Sequence, residues 1–356
     1  MCVRVFLLLI LGPTAVCCAH EVDSYTLPLD RKLIDLGDFW NQMLCEAVHR
    51  GARSLNREID QLQKAAGPLL DSELRQLRSP PAIAGAVQRE LPNGWRMIEG
   101  LELQLRLQNR RYRGSGWHLH HKAWFWESAY RGVPAPDPQL ANRLFLMRSS
   151  LVRVHGQLLG TDKLGHFVGL GSIYYHNYWK QRSFGVPRAQ ARRTAIECGA
   201  KGLLSEMGMF GKVTTGIYSN ADMAANYSGF KFFCNLTEPV TLQGVVRRPM
   251  LELQNGRWVV RPEVRPDTPY FAVYISAHWD EVLNPSHYAW QIRLFLRPEV
   301  KAQRQQLLTR YANSPEKRNP EYFAYVLRQL STYYGEDYGH SGDFKTLMTL
   351  GDLCFE

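Results

Sequence analysis

Thr161-Asp162-Lys163-Leu164-Gly165-His166-Phe167 begins a stretch that ends at Cys234 and carries one polar pattern twice, the second copy opening at Ser219-Asn220-Ala221-Asp222. Side chains on a helix advance by about 100° per residue. Asp162, His166, Gly169 and Ile173 therefore share one helical face, and Asp222, Asn226, Gly229 and Phe233 share the matching face of another. Each face places an acid, a polar group one turn on, a glycine, then a large apolar residue. The first helix is expected to start with Thr161 as N-cap and Asp162 in the first turn, where the helix dipole favours an anion, and to run to about Gln181. The other is expected from about Asn220, with Ser219 and Asp222 as a capping box carrying Asp in place of Glu.

Between them the sequence predicts a third helix, with Pro187 in its first turn and an end near Phe210. Ala195, Ile196, Gly199, Leu203, Met207 and Phe210 form its apolar face, and Glu206 falls inside that arc, whereas Glu197 points outward toward Lys201. A carboxylate among apolar side chains must be paired, hydrogen-bonded or protonated. Glu206 therefore needs partners, which Lys163 or His166 can supply. Gly165, Gly169, Ser172 and His176 form a stripe of small or polar groups, which predicts close contact with a neighbouring helix.

Working outward, apolar residues at three- and four-residue steps predict a helix from Leu29 to about Gln63, and a shorter one spans Asp71 to Leu77, ended by Ser79-Pro80-Pro81. A further helical pattern covers Trp95 to Arg113. Another is expected from Gln139 to about His155, after the proline-rich connection Pro134 to Pro138. Asn255-Gly256 between alternating apolar residues predicts a β-hairpin with a type I′ turn over 245–262. The expected fold is mainly α, a helical bundle-like body with one β-hairpin insertion. Its parts are an N-terminal helical region over 20–133, a central three-helix unit over 139–238, the hairpin, and a C-terminal helical region over 270–356.

The chain has 356 residues, 45% of them apolar, and a net charge of +10. That length can bury a sizeable core, and the charge suggests an anionic membrane surface or envelope component as partner. Nucleic acid is set aside, because no binding motif accompanies the charge. Arg4, the apolar run Val5 to Leu11 and the small residues ending at Ala19 read as a secretory signal peptide over 1–19, which implies secretion across an inner membrane into the periplasm. The alternative is lipoprotein anchoring at Cys17 or Cys18. Beyond the leader, Cys45, Cys198, Cys234 and Cys354 permit two disulfides, or else four buried thiols.

Other clusters carry less. His118, His120 and His121 invite a metal, but no acid adjoins them in sequence, and an exposed basic loop is the expectation. Arg106, Arg110, Arg111 and Arg113, with Trp117, Trp124 and Trp126, fit headgroup contact at a membrane surface, although the tryptophans fit a core equally. His278-Trp279-Asp280-Glu281, with Asn284 and His287, could ligate a metal through His278, Asp280 or His287. His278 and Asp280 lie about 200° apart on a helix, however, and a helix start with solvated acids is the expectation. The sequons at Asn226 and Asn235 read as coincidental. No Walker loop, GxGxxG, GxSxG or HExxH is present, which removes the commonest nucleotide, dinucleotide, serine-hydrolase and zinc-protease chemistries.

Asp162-Lys163-Leu164-Gly165-His166-Phe167, then Glu206, then Ser219, Asp222, Asn226 and Gly229 resemble the DKxxHF, E and SxxDxxxNxxG signature of VanZ-like proteins and related small bacterial envelope lipoproteins. The resemblance covers 161–234 and implies an envelope setting. It departs from the multi-span VanZ-like topology, since the chain shows no apolar span beyond its leader region. Two uses of Asp162, Lys163, His166, Glu206, Ser219, Asp222 and Asn226 follow. In the first, a buried network organises a structural or binding module. In the second, Asp162, His166, Glu206 and Asp222 hold a divalent metal, or act as acid and base, toward an envelope phosphate or glycan. The first takes precedence, because Ser219 is the only candidate nucleophile and one histidine is few for a zinc site.

Overall fold

A computed structural model describes residues 31–64, 70–92, 94–112, 114–122, 125–132, 149–201, 205–208, 211–212, 216–242, 244–310, 321, 324–326, 328–329, 338–339 and 347–349. The signal-peptide reading of 1–19, the cysteines Cys17, Cys18 and Cys354, Trp124 and Phe210 lie outside them. The fold is mainly α-helical, and its strands form only short two-stranded pairs.

Helix α1, Gly37–Lys64, buries Trp40, Leu44, Val48, Leu55 and Ile59 at four- and seven-residue steps, with Asp38 in its first turn and Lys64 in its last, where each complements the helix dipole. It starts later than the expected Leu29. Lys32–Leu33 is instead a short strand, β1, paired in parallel with β2, Trp117–His118. The Asp35 carboxylate accepts from the Gly37 amide at 2.7 Å and also from the His155 and Gly156 amides, so the chain stays extended until Asp35 is passed.

Helix α2 spans Leu70–Leu77, and α3 spans Pro80–Glu90. The two prolines were expected only to stop α2. They also open α3 behind Ser79, at positions whose amides need no intrahelical partner. A Cβ on Gly51 of α1 would stand 2.8 Å from the Val87 backbone, so α3 lies directly on α1 there. Helix α4, Gly94–Asn109, buries Leu101, Glu102 and Leu105.

The helix expected over Gln139 to His155 is corrected at its end. Leu151–Val154 is strand β3, paired antiparallel with β4, Gln157–Gly160. His155 and Gly156 take φ of 46° and 80°, the left-handed pair that a two-residue hairpin turn requires.

The repeated segment forms α5, Thr161–Ser183, α6, Arg188–Lys201, and, after the short strand β5, Ile217–Tyr218, α7, Asn220–Asn235. Helices α5 and α7 touch backbone to backbone. A Cβ on Gly229 would stand 1.9 Å from the Phe167 carbonyl oxygen, and one on Gly171 would stand 2.6 Å from Gly229 Cα. Of the stripe expected to contact a neighbouring helix, Ser172 Oγ accepts from Gln88 Nε2 of α3 at 2.8 Å, and His176 is exposed. The two faces also end differently: Phe233 is buried, whereas Ile173 is 43% exposed.

The predicted hairpin is present as β8, Leu251–Gln254, and β9, Arg257–Val260, with Asn255 and Gly256 at φ of 51° and 76°. Residues 245–247 belong to an earlier pair, β6, Val240–Leu242, with β7, Val245–Arg247. The single hairpin is therefore one of three among the described residues. It is sewn to α1, because Asn56 donates to the Trp258 carbonyl and accepts from its amide, both at 2.8 Å.

The C-terminal region departs from helix over 270–289, where 3-10 turns at Ala272–Tyr274 and Ala277–Trp279 precede β10, His287–Tyr288, which pairs with β5. Helices α8, Trp290–Ala302, and α9, Arg304–Arg310, follow. Trp40, Phe232, Tyr274 and Trp279 each place a ring against Phe167. Cys45 and Cys234 are buried free thiols and Cys198 is an exposed one, so neither pairing nor four-fold burial holds for these three. No helix among the described residues is long and apolar enough to cross a membrane.

Candidate functional site

The first turn of α5 begins the site. Gly160, not Thr161, is the N-cap, and Thr161 Oγ1 points sideways, donating to Glu102 Oε1 at 2.9 Å and accepting from the Ser150 amide at 3.0 Å. Asp162 and Lys163 follow, both buried. Lys163 Nζ lies 2.8 Å from Asp162 Oδ2, 2.6 Å from Asp222 Oδ1 and 2.5 Å from Glu281 Oε1. One turn on, His166 Nδ1 is 3.0 Å from Asn226 Oδ1, and Nε2 is 3.3 Å from Asp222 Oδ2.

The start of α7 supplies the facing wall. Ser219 is the N-cap as expected, its Oγ accepting from the Asp222 amide at 3.0 Å. The reciprocal half of the capping box is different: the Ser219 amide donates to Glu206 Oε1 at 3.0 Å, which frees the Asp222 carboxylate for Lys163 and His166. Ser219 Oγ also donates to Glu281 Oε1 at 2.8 Å, which commits this hydroxyl to holding the site together.

Glu206 reaches the cluster from a turn, not from a helical face. Helix α6 stops at Lys201, the Glu206 amide donates back to the Gly199 carbonyl at 3.2 Å, and the Lys212 amide donates to the Glu206 carbonyl at 2.7 Å. Seven-residue spacing between donor and acceptor is incompatible with an α-helix. Gly211 lies against the carboxylate, where a Cβ would stand 2.5 Å from Glu206 Oε1. Met207, expected on the buried face, is 42% exposed for the same reason. Glu197 is exposed as expected.

Glu281 was missed. Its stretch was read as a solvated helix start, yet His278, Trp279, Asp280 and Glu281 are all buried, and Ser286 Oγ donates to Glu281 Oε2 at 3.0 Å. Trp279, packed on Phe167, carries the segment inward. The one local signal was an acid set between Trp279 and Val282 in a run stopped by Asn284-Pro285, too short for a stable helix.

His120 and His121 are also buried, correcting the exposed loop. The acid that the sequence did not place beside them is Glu102. His120 Nδ1 contacts Ser150 Oγ at 3.0 Å, and Ser150 Oγ donates to Glu102 Oε2 at 2.6 Å, which makes a second polar cluster joined to the first through Thr161. Asn226 and Asn235 are both buried, as the coincidental reading of their sequons requires.

The main cluster sets four carboxyl groups, Asp162, Glu206, Asp222 and Glu281, against one ammonium. Burial raises the Asp162 carboxyl to about 8, against the downward pull of Lys163. Burial, then the Asp222 charge, pushes Glu206 well above the usual carboxylate range, and burial holds the His166 imidazole below its ordinary value despite Asp222. Asp162 Oδ1 and Glu206 Oε2 have no hydrogen-bond partner among the described residues. Of the four expected metal ligands, His166, Glu206 and Asp222 each offer an atom within 4.8 Å of the others, and Asp162 is turned to Lys163 instead. Among the described residues, His278, Asp280 and His287 form no such group. Comparison of the chain with protein-family models, with curated proteins and with solved structures gave no match.

Proposed function

We propose that this chain is a secreted cell-envelope protein in which the buried polar cluster locks α5, α7 and the Glu281 segment into a structural or binding module. One observation carries the reading: Lys163, 0% exposed, bridges carboxylates from three separate stretches of chain. A buried ammonium so enclosed tolerates one arrangement of those stretches and penalises the others. The likeness of 161–234 to the VanZ-like signature, the leader pattern over 1–19 and the net charge of +10 support the envelope setting. Trp117 and Trp126, 47% and 63% exposed, offer indoles to an anionic membrane surface or envelope polymer.

The second reading is a metal- or acid/base-dependent hydrolase of an envelope phosphate or glycan. The surplus of carboxylates favours it. Against it, the most exposed of the seven candidate residues, His166, is only 6% exposed, so their carboxylates do not face solvent. Melting of Asp162→Asn and Asp222→Asn separates the two: each lowers the melting temperature in the module reading. If both melt as the wild type does yet abolish a cellular phenotype, the hydrolase reading replaces it. Flotation with anionic liposomes tests the surface, and binding that does not weaken with salt removes the electrostatic part.

A further inference from the structure

We infer that His166, Glu206 and Asp222 hold one divalent transition-metal cation within the cluster. The inference deepens the module reading and rests on it. One atom from each of the three side chains lies within 4.8 Å of the others, which a modest inward movement of flexible carboxylates brings to coordination distance.

The orientation of His166 is the second observation. With Nδ1 at 3.0 Å from Asn226 Oδ1, the ring N–H belongs on Nδ1, and the Nε2 lone pair faces Asp222 Oδ2 at 3.3 Å. Two acceptors meet there, and a shared cation resolves the opposition. Metal-binding histidines commonly donate their other ring N–H to a fixed oxygen acceptor, the part that Asn226 Oδ1 plays here.

Glu206 supplies the third observation. Its Oε1 takes the Ser219 amide, while Oε2, fully buried, has no partner among the described residues. A proton placed between Nε2 and Asp222 settles that pair but leaves Glu206 Oε2 unsatisfied. The Lys163 charge eases the burial of Glu206 from a distance, while its ammonium touches Asp162, Asp222 and Glu281. A cation among the three ligands answers the open oxygen and gives the four buried carboxyl groups a second counter-charge beside Lys163. One imidazole nitrogen with carboxylate oxygens suits Mn²⁺, Fe²⁺ or Co²⁺ better than Zn²⁺, which usually takes more nitrogen or sulfur, whereas Mg²⁺ and Ca²⁺ favour oxygen alone.

The test uses the full chain, stripped with chelator and desalted. Isothermal titration is expected to show one saturable site for Mn²⁺ and for Zn²⁺, and none for Mg²⁺ at the same concentrations. Asn226→Ala weakens binding by roughly 10–100-fold, the range for groups that orient a ligand, and Glu206→Gln weakens it by more. Glu197→Gln, on the exposed side of α6, leaves binding unchanged. Pulsed electron paramagnetic resonance on Mn²⁺-loaded wild type is expected to show nitrogen coupling from His166. No saturable binding of either ion by the folded wild type overturns the site, and so does binding that Glu206→Gln leaves intact. Where a variant does not fold, the nitrogen coupling decides, and its absence overturns the site. The module reading is tested separately, by melting Lys163 variants in chelator, where no metal contributes.

Discussion

Lys163 Nζ lies 2.5 Å from Glu281 Oε1, joining the first turn of α5 to a non-helical segment that enters the chain only after both later hairpins. The two residues are buried, so the contact is shielded from solvent screening.

Replacing Lys163 by Met is therefore expected to cost roughly 3–5 kcal/mol, because Asp162, Asp222 and Glu281 lose their common counter-charge without leaving the interior. Urea unfolding near neutral pH measures it. Lys163→Met combined with Glu281→Gln should recover part of the loss, since one buried charge is then removed with its partner. A midpoint unchanged from wild type in the single variant would sink the bridging role of Lys163.

The helix crossing predicts a contrast between glycines. Gly229→Ala places a methyl 1.9 Å from the Phe167 carbonyl oxygen, backbone that cannot swing aside, so a loss at the upper end of roughly 1–3 kcal/mol is expected. Gly85→Ala meets only the tip of Arg89, 3.9 Å away, in the middle of α3. That change should stabilise by roughly 0.5–1 kcal/mol through helix propensity. Equal effects from the two would refute the backbone contact between α5 and α7.

Lys231 predicts a pH dependence. Burial, reinforced by Arg192, lowers its ammonium to about 8 from 10.5, and the Tyr227 ring centre lies 5.1 Å from its Nζ. Below pH 8 the folded chain carries a buried charge at a cost, while the unfolded chain carries it freely. Between about 8 and 10.5 the unfolded state binds the extra proton, so this group's contribution to stability rises with pH. Lys231→Met should thus be the more stable protein at pH 7, by at most roughly 3 kcal/mol, with the advantage fading toward pH 10.5. Paired urea titrations across that range measure the difference, and a gap that widens with pH would reverse the assignment.

The hairpin β8–β9 is held on α1 by Asn56, which pairs with both backbone groups of Trp258. Asn56→Ala strands a partly buried amide and carbonyl, for an expected loss of roughly 1–3 kcal/mol. Hydrogen exchange should show Trp258 and its neighbours opening sooner while α7 stays protected. Uniform loss of protection would mean the hairpin is integral to the core and not a separately opening edge.

Much of the cluster was legible in the sequence because its members recur with helical period. Asp162, His166, Asp222 and Asn226 could be set on facing helices from spacing alone, and Ser219 announced its cap. Glu206 was legible as an acid in apolar company, although the helix assumed for it does not reach that far. Other features were illegible for physical reasons. Thr161 ranks as a capping residue, yet Glu102, from a distant helix, draws its hydroxyl aside. A stripe of small residues marks where a helix can be approached but not by which neighbour, and the backbone contact between α5 and α7 fell on Gly171 and Gly229. Leu151 to Val154 satisfied a helical pattern as well as a strand, and the left-handed His155-Gly156 turn settled the choice.

The sequence by itself determined the mainly helical class, the hairpin turn at Asn255-Gly256 and the residues that face inward from α5 and α7, because periodicity, turn chemistry and capping act within a few residues. Only the tertiary structure decided that Glu281 completes the cluster, that Glu206 enters from a turn and that Glu102 is linked to His120 through Ser150. Those contacts join stretches with no local dependence on one another, and what selects them is the cost of leaving a buried charge or hydrogen-bonding group unpaired, which is felt only once the chain has closed around it.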